Sequence, residues 1–481
     1  APTLPAEFER LLYEHTPEGL RFVCYLPNGA PSPEACAPGT GAASLRNAIS
    51  ADGHRIFWTA FSGSLGGGNE PGAPGQIYLR SGGSETIAIS RAVAEDPAWY
   101  WTAADDGSKA IFAFDSGPFK DHLYEFDVKT EEAHLIAKGV EGPMGASEDA
   151  SRIYFVSNED LDDTGPAAEG AHNLYLYEAD PGGGSFTFVM TLADGDVGGT
   201  SGAPGPVDVA PDQRAARVTP DGLHVTFSAV APPPSGYDNR DVQNGVFTQE
   251  VYRYDAKEGQ LRCVSCNPTG ARPMGRELDI DFWAVARIQG WEELQHAPRV
   301  ISDDGSRVFF ESLEALVPRD TNGTWDVYQW EEPGKGSCRE EDSSFGEAAG
   351  GCVDLISSGE DSAKSTFLDA DPSGDSVFIG TQSSLVDIDY GLNDVYVARV
   401  GGGFPEPPPQ PECEGEACQS PAPAPLPQTP ASSTYRGPGN VGKARPRRCK
   451  RGARKVRRGG KVRCVKRKRG SRASEARRAS R

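Results

Sequence analysis

The sequence predicts an all-β protein: a six-bladed β-propeller of four-stranded antiparallel blades, closed by an N-terminal strand and followed by a disordered C-terminal tail. Three observations predict it. A short motif built on an Asp-Gly turn recurs six times. A second motif, an apolar residue followed by Tyr, comes after each copy. Turn formers are abundant, with 57 Gly and 39 Pro in 481 residues. At 37% hydrophobic residues, that is too turn-rich for a helical bundle but leaves enough Val, Ile, Phe and Tyr for short strands.

The first motif runs Ile49-Ser-Ala-Asp-Gly-His-Arg-Ile-Phe-Trp58 and returns at Ala104–Phe112, Ala146–Phe155, Val218–Phe227, Ile301–Phe310 and Ala370–Phe378. In each copy a strand enters, Asp-Gly makes a tight turn with a residue at positive φ, and a β-branched or aromatic strand leaves. The second motif reads Gln76-Ile-Tyr-Leu, Asp121-His-Leu-Tyr-Glu, Asn173-Leu-Tyr-Leu, Glu250-Val-Tyr-Arg, Asp326-Val-Tyr-Gln and Asp394-Val-Tyr-Val. In the first five units one more strand follows, such as Thr86–Ser90 or Gln260–Val264. Four antiparallel strands repeated around an axis make a propeller. The sixth unit runs out at Val400, and the N-terminus offers the missing strand. Leu12–Cys24 resembles Val251–Cys263, and pairing it with the last blade would close the ring and remove two edges. It carries a Tyr-strand equivalent as well, one strand more than closure needs.

These residues resemble the TolB-type, WD-repeat-like β-propeller family, whose repeats read Ser-Pro-Asp-Gly, then an apolar strand, then an Ile/Val-Tyr strand. The resemblance spans roughly residues 8 to 400 and implies a fold rather than a function. Ala150 stands where the third turn would have Gly, and Ser373 where the sixth would have Asp. Asp52 and Ser373 lie 321 residues apart, about 64 per unit, which exceeds a usual blade of about 40–50. Insertions fill the difference. Those at 61–75, 157–172, 193–216, 229–248, 267–300 and 312–325 fall in connections on one face of the disc, and only 331–352 falls on the other. A crown of loops suits a protein or glycan partner.

Within these loops Tyr237, Trp283 and Trp291 are candidates for a stacking platform. The competing reading has them seal the loops against the disc. Asp320, Asn322 and Asp326 space oxygen ligands around a Gly turn, as calcium loops do. Asp387, Asp389 and Asp394 form a looser version, and so do Asp160, Asp162 and Asp163. Turn-making and strand capping are the alternative for all of them. No Gly-x-Ser-x-Gly elbow is present, and the sialidase-type box fails because Ser50-Ala-Asp52-Gly53 lacks a residue between Asp and Gly. The expectation is a non-enzymatic binding or scaffold module, with a calcium-dependent, lactonase-like hydrolase as the alternative. That alternative needs acids on the innermost strands, which read as largely apolar.

Ten cysteines fall in neighbouring pairs: Cys24/Cys36, Cys263/Cys266, Cys338/Cys352, Cys413/Cys418 and Cys449/Cys464. Local disulfides in an oxidising compartment account for them. Cys263-x-x-Cys266 also has metal-ligand spacing, but the seven His are scattered. No apolar run reaches the roughly 18–20 residues that span a bilayer. A start at Ala1 without Met points to a removed leader or an upstream piece. The expected location is extracellular or on a bacterial cell surface, as a monomer.

The formal charge of −21 hides a division. Residues 443–481 hold 20 basic residues against one acid, Glu475, and the remainder holds 28 against 68. We divide the chain into a propeller (1–400), a Pro-rich spacer (401–440) and a basic tail (441–481). In the tail, Cys449–Cys464 reads as a stapled hairpin turned at Gly459-Gly460. Arg447, Arg448, Lys450, Arg451, Lys466, Arg467, Lys468 and Arg469 are its candidate polyanion-binding residues. Anionic wall polymer or lipid headgroups suit an extracellular protein better than nucleic acid, for which no aromatic interleaving exists.

Overall fold

The structure, a computed structural model, describes residues 11–40, 46–61, 74–162, 165–180, 182–197, 216–279, 282–289, 297–386, 391–402, 449–458 and 461–466. The chain divides into two compact units, Ala1–Phe404 and Pro405–Arg481. Apart from two 3₁₀ turns, the regular elements of the described residues are all strands. None is a helix long and apolar enough to cross a membrane.

The first unit opens with a hairpin, β1 (Tyr13–Thr16) and β2 (Gly19–Phe22). The first sheet then holds β3 (Ala35–Pro38), β4 (Arg55–Phe61), β5 (Gln76–Ser81) and β6 (Glu85–Ala88). A second holds β7 (Ala98–Ala103), β8 (Lys109–Phe114), β9 (Leu123–Asp127) and β10 (Glu132–Ala137). The third is β11 (Val140–Ala146), β12 (Arg152–Ser157), β13 (His172–Glu178) and β14 (Ser185–Leu192). The fourth is β15 (Arg217–Val218), β16 (His224–Ala229), β17 (Glu250–Asp255) and β18 (Gln260–Cys263). A separate loop hairpin pairs β19 (Arg276–Asp279) with β20 (Phe282–Ala284).

The fifth sheet has five strands, because the 331–352 insertion adds one. They are β21 (Ala286–Arg287), β22 (Arg307–Ser312), β23 (Asp326–Glu331), β24 (Phe345–Gly346) and β25 (Gly351–Leu355). The sixth has three, β26 (Ser365–Ala370), β27 (Ser376–Thr381) and β28 (Asp394–Arg399). Every sheet is antiparallel and follows chain order, apart from the exchange of β24 and β25.

Successive sheets stack face to face, so their middle strands are buried on both sides. In β12, Ile153 and Phe155 join Ile111 and Leu123 of the second sheet. The alternate residues Tyr154 and Val156 join Val225 and Phe227 of the fourth. A strand covered on both faces must be apolar at consecutive positions, which is why the strands leaving the turns read as unbroken runs. The residues expected to complete the sixth sheet are placed differently. Tyr13–Thr16, the surplus strand, pairs with Gly19–Phe22, and Val23 and Cys24 with Leu12 and Phe22 pack on Trp58 and Tyr78 of the first sheet.

The turns tie the sheets together. The residue before each turn Asp donates its N–H to the same position of the next copy: Ala51 to the Asp105 carbonyl, Asp105 to Glu148, Glu148 to Pro220, and Asp303 to Pro372, at 2.7–2.8 Å. Pro220 and Pro372 have no N–H, so each run ends at a proline. A basic side chain beyond the turn adds a second tie. Arg55 reaches the Asp106 carbonyl, Arg152 that of Asp221, and Arg307 that of Ser373.

These side chains lie against the next copy's turn glycine. A Cβ on Gly222 (φ 73°) would meet the Arg152 Cβ at 2.7 Å and the Ser147 Cβ at 2.8 Å, whereas one on Gly53 (φ 73°) would meet nothing within 4 Å. The third turn has Ala150 at φ 53°, and in the preceding copy the basic residue is Lys109, which pairs with Glu125 at 3.0 Å.

Four disulfides are formed, Cys24–Cys36, Cys263–Cys266, Cys338–Cys352 and Cys449–Cys464; Cys413 and Cys418 lie outside the described residues. In the second unit β29 (Ala453–Arg458) and β30 (Lys461–Lys466) form a hairpin in register about positions 459 and 460.

Substituting the two glycines separates backbone strain from crowding. Gly53→Ala should cost about 1 kcal/mol from the left-handed backbone alone. Gly222→Ala should cost at least twice that. Equal shifts in urea midpoint would contradict this account of the turns.

Candidate functional site

Residues at the inner ends of all six repeats line one cavity of about 440 Å³. The first contributes Arg46 and Asn47, the second Asp105, and the third Ala146–Glu148. Arg217–Pro220 come from the fourth, Ala297–Arg299 with Ile301 and Asp303 from the fifth, and Asp369 from the sixth. The turn-to-turn bonds set this convergence, since they bring the residues that precede each turn side by side. Arg217 and Asp369 lie in the first strands of their sheets, β15 and β26, whereas Arg46, Asp105 and Glu148 lie outside the strands.

The charges are graded. Asp105 and Glu148 are exposed beside the turns. Arg217 lies deeper at 6% exposure, and donates to the carbonyls of Pro298, Ala216 and Gln289. Burial, reinforced by the like charge of Arg46, pushes its pKa down to about 9. Arg46 is also lowered, chiefly by burial, with Glu148 pulling the other way. Its side chain is half-buried because the cavity reaches it, and its guanidinium makes no hydrogen bond to a described residue. The acids in the fifth and sixth repeats are engaged: Asp303 pairs with Arg299 at 3.2 Å, and Asp369 accepts the N–H of Arg299 at 2.9 Å.

Hydroxyl groups in the lining are occupied by the turns. Ser147 donates to Asp149 and Thr219 to Asp221, both at 2.7 Å. Among the described residues the lining carries three arginines, Arg46, Arg217 and Arg299, and four carboxylates, Asp105, Glu148, Asp303 and Asp369, so it can bind charged groups.

The loop candidates are placed as follows. Tyr237 is buried at 9% exposure, and its hydroxyl donates to the Ala271 carbonyl at 2.8 Å. It therefore seals its loop instead of offering a ring to a ligand. Trp283 is half-buried, and Trp291 lies outside the described residues. In the Asp320 loop the oxygens are largely used within the protein. Asp320 Oδ2 accepts from the Tyr328 hydroxyl. Asp326 accepts from Asn322 Nδ2 at 2.6 Å and from Ser357 Oγ at 2.5 Å. Asn322 turns its donor, not its oxygen, toward Asp326, and burial raises the Asp326 pKa. Asp394 lies at the start of β28; Asp387, Asp389 and Asp163 lie outside the described residues. Asp160 accepts the Asp162 N–H at 3.3 Å.

In the tail hairpin Lys450, Arg451 and Lys466 are exposed, and Arg447, Arg448, Arg467, Lys468 and Arg469 lie outside the described residues. Opposed residues share a face, Lys455 with Cys464 and Arg457 with Val462 on one, Arg454 with Val465 and Val456 with Arg463 on the other. Both faces thus mix cations with exposed valine, Val462 at 54% and Val465 at 49%.

The chain is similar to β-propeller structures. Among them are TolB from Acinetobacter baumannii (15% identity, TM-score 0.26) and putative TolB from Agrobacterium tumefaciens (14%, 0.29). A third is the β-propeller domain of the Trilobed protease from Pyrococcus furiosus (12%, 0.32). The matches cover 64%, 70% and 74% of this chain, and 57%, 84% and 80% of those chains. The chain therefore spans little more than half of the first. No protein-family model and no curated protein matches it.

Arg46 is the residue by which the cavity can be tested. Malonate, a small dianion, should raise the melting temperature of the wild-type chain by binding the folded state. Arg46→Gln should abolish that rise without lowering the melting temperature in plain buffer, because it removes a desolvated cation that holds no other element in place. An equal malonate effect in the variant would disconnect Arg46 from anion binding.

Proposed function

We propose that this chain is an extracellular, non-enzymatic binding module. It is a six-bladed propeller closed by its N-terminal segment, whose inner cavity receives an anionic group of a protein or glycan partner. The observation that carries the proposal is the pair Arg46 and Arg217, two desolvated cations facing one cavity lined by all six repeats. A desolvated cation facing a cavity gains from an incoming carboxylate or sulfate, which it can hold through charge-assisted hydrogen bonds. Leu12 and Phe22–Cys24 pack on the first sheet, one of the two sheets that closure would have to join. Four disulfides favour an oxidising compartment.

The basic unit serves attachment. Its stapled hairpin presents cations on both faces, which suits an anionic envelope polymer or lipid headgroups.

Binding to isolated cell envelopes separates the two parts. Deleting residues 443–481 should abolish the attachment that salt weakens. Arg46→Gln should leave that attachment intact and weaken partner retention by about tenfold or more, the value of one charge-assisted hydrogen bond. Undiminished, salt-sensitive attachment of the deletion chain would refute the role of the tail. Turnover in a calcium-supplemented esterase screen would overturn the non-enzymatic reading.

A further inference from the structure

The fourth sheet contains a second cluster, away from the inner cavity. Glu250 opens β17, Cys263 closes β18, and the turn Cys263-Val-Ser-Cys266 folds Cys266 back beside them. The two sulfurs and a Glu250 carboxylate oxygen lie within 4.8 Å of one another. All three residues are buried, with exposures of 1%, 1% and 0% for Glu250, Cys263 and Cys266. Glu250 Oε2 accepts the Ser265 hydroxyl at 2.5 Å, and Ser265 Oγ in turn accepts the Val251 N–H at 2.8 Å. Glu250 Oε1 has no hydrogen-bond partner. A buried carboxylate oxygen without a donor calls for an explanation, since leaving one unsatisfied costs about 1–3 kcal/mol.

We propose that reduction of Cys263–Cys266 converts this cluster into a site for a thiophilic divalent cation such as Zn²⁺, held by two thiolates and the Glu250 carboxylate. The disulfide occludes the site by spending both sulfurs on each other. Two thiolates and one carboxylate are a donor set that suits zinc, with the fourth tetrahedral position left for water. Cys263 also lines a separate cavity of about 410 Å³, together with Tyr254, Gln260 and Arg262, and this gives a reductant and a cation a way in. The chemistry balances. A phosphine and one water reduce the disulfide to two thiols and leave as the phosphine oxide, a two-electron exchange. The cation then displaces both thiol protons to solvent, together with any proton held by the buried Glu250, which ligates as its carboxylate.

The test uses the full chain, unfolded in phosphine and refolded anaerobically in phosphine with Co²⁺ as the spectroscopic stand-in for Zn²⁺. The expected result is a thiolate-to-cobalt charge-transfer absorption at one Co²⁺ per chain, displaced by Zn²⁺. It should vanish in Cys263→Ser/Cys266→Ser, and Co²⁺ should bind at least about tenfold more weakly in Glu250→Gln. Four results would overturn the proposal. They are no such absorption in the refolded wild type, its persistence in the double serine variant, unchanged affinity in Glu250→Gln, and failure of the reduced chain to regain its strand circular dichroism. If the double variant does not fold, wild-type chain alkylated at its thiols before refolding replaces it, and a band surviving alkylation counts against the site.

Discussion

The main-chain hydrogen bond from one turn to the next is the constraint on which the rest of the first unit depends. It holds equivalent positions of successive repeats at one level, which lets each sheet lie flat on its neighbour. It also places the residues before the turns around a common space. The cavity, its graded charge and the crowding at the turn glycines all follow from that single repeated contact. Because the bond uses the backbone, side chains at those positions are free to vary. They do: Ala51, Asp105, Glu148, Pro220, Asp303 and Pro372 occupy equivalent places.

Much of this was legible in the sequence, for a physical reason. A strand sandwiched between two sheets is apolar at most positions on both faces, and a tight turn at positive φ favours glycine, so repetition of both leaves a visible mark. The hairpin at 453–466 was legible too, since a Gly-Gly turn between two cationic strands closed by cysteines admits few other geometries. The basic residue beyond the turn was in plain view as Arg55, Arg152 and Arg307. Its partner was not, because a carbonyl in the next repeat has no side-chain signature.

The site was harder to read. Aromatic residues in long loops suggest a ligand platform, but Tyr237 shows how a loop spends such a ring on its own underside. The Asp320 loop has the composition of a cation site, and Tyr328, Asn322 and Ser357 supply donors to three of the four oxygens of Asp320 and Asp326, leaving Asp320 Oδ1 without one. Arg46 and Arg217 drew no attention because each sits alone in sequence, and only the folded chain brings them within reach of one another. Glu250 was similarly hidden as the first residue of a Tyr strand, where Asp, Asn and Gln stand in other copies.

One joint in the stack differs in kind from the others. Proline at position 220 withholds the turn donor that would bind the fourth repeat to the fifth, and beside the main-chain bond from Ala286 to the Gln249 carbonyl the guanidinium groups of Arg217 and Arg253 reach carbonyls across the gap. A main-chain contact yields chiefly to proline, which removes its donor, whereas a side-chain clasp can be strengthened, loosened or removed by many substitutions. The boundary between those two repeats is thus the place where the rigidity of the disc is heritable one residue at a time.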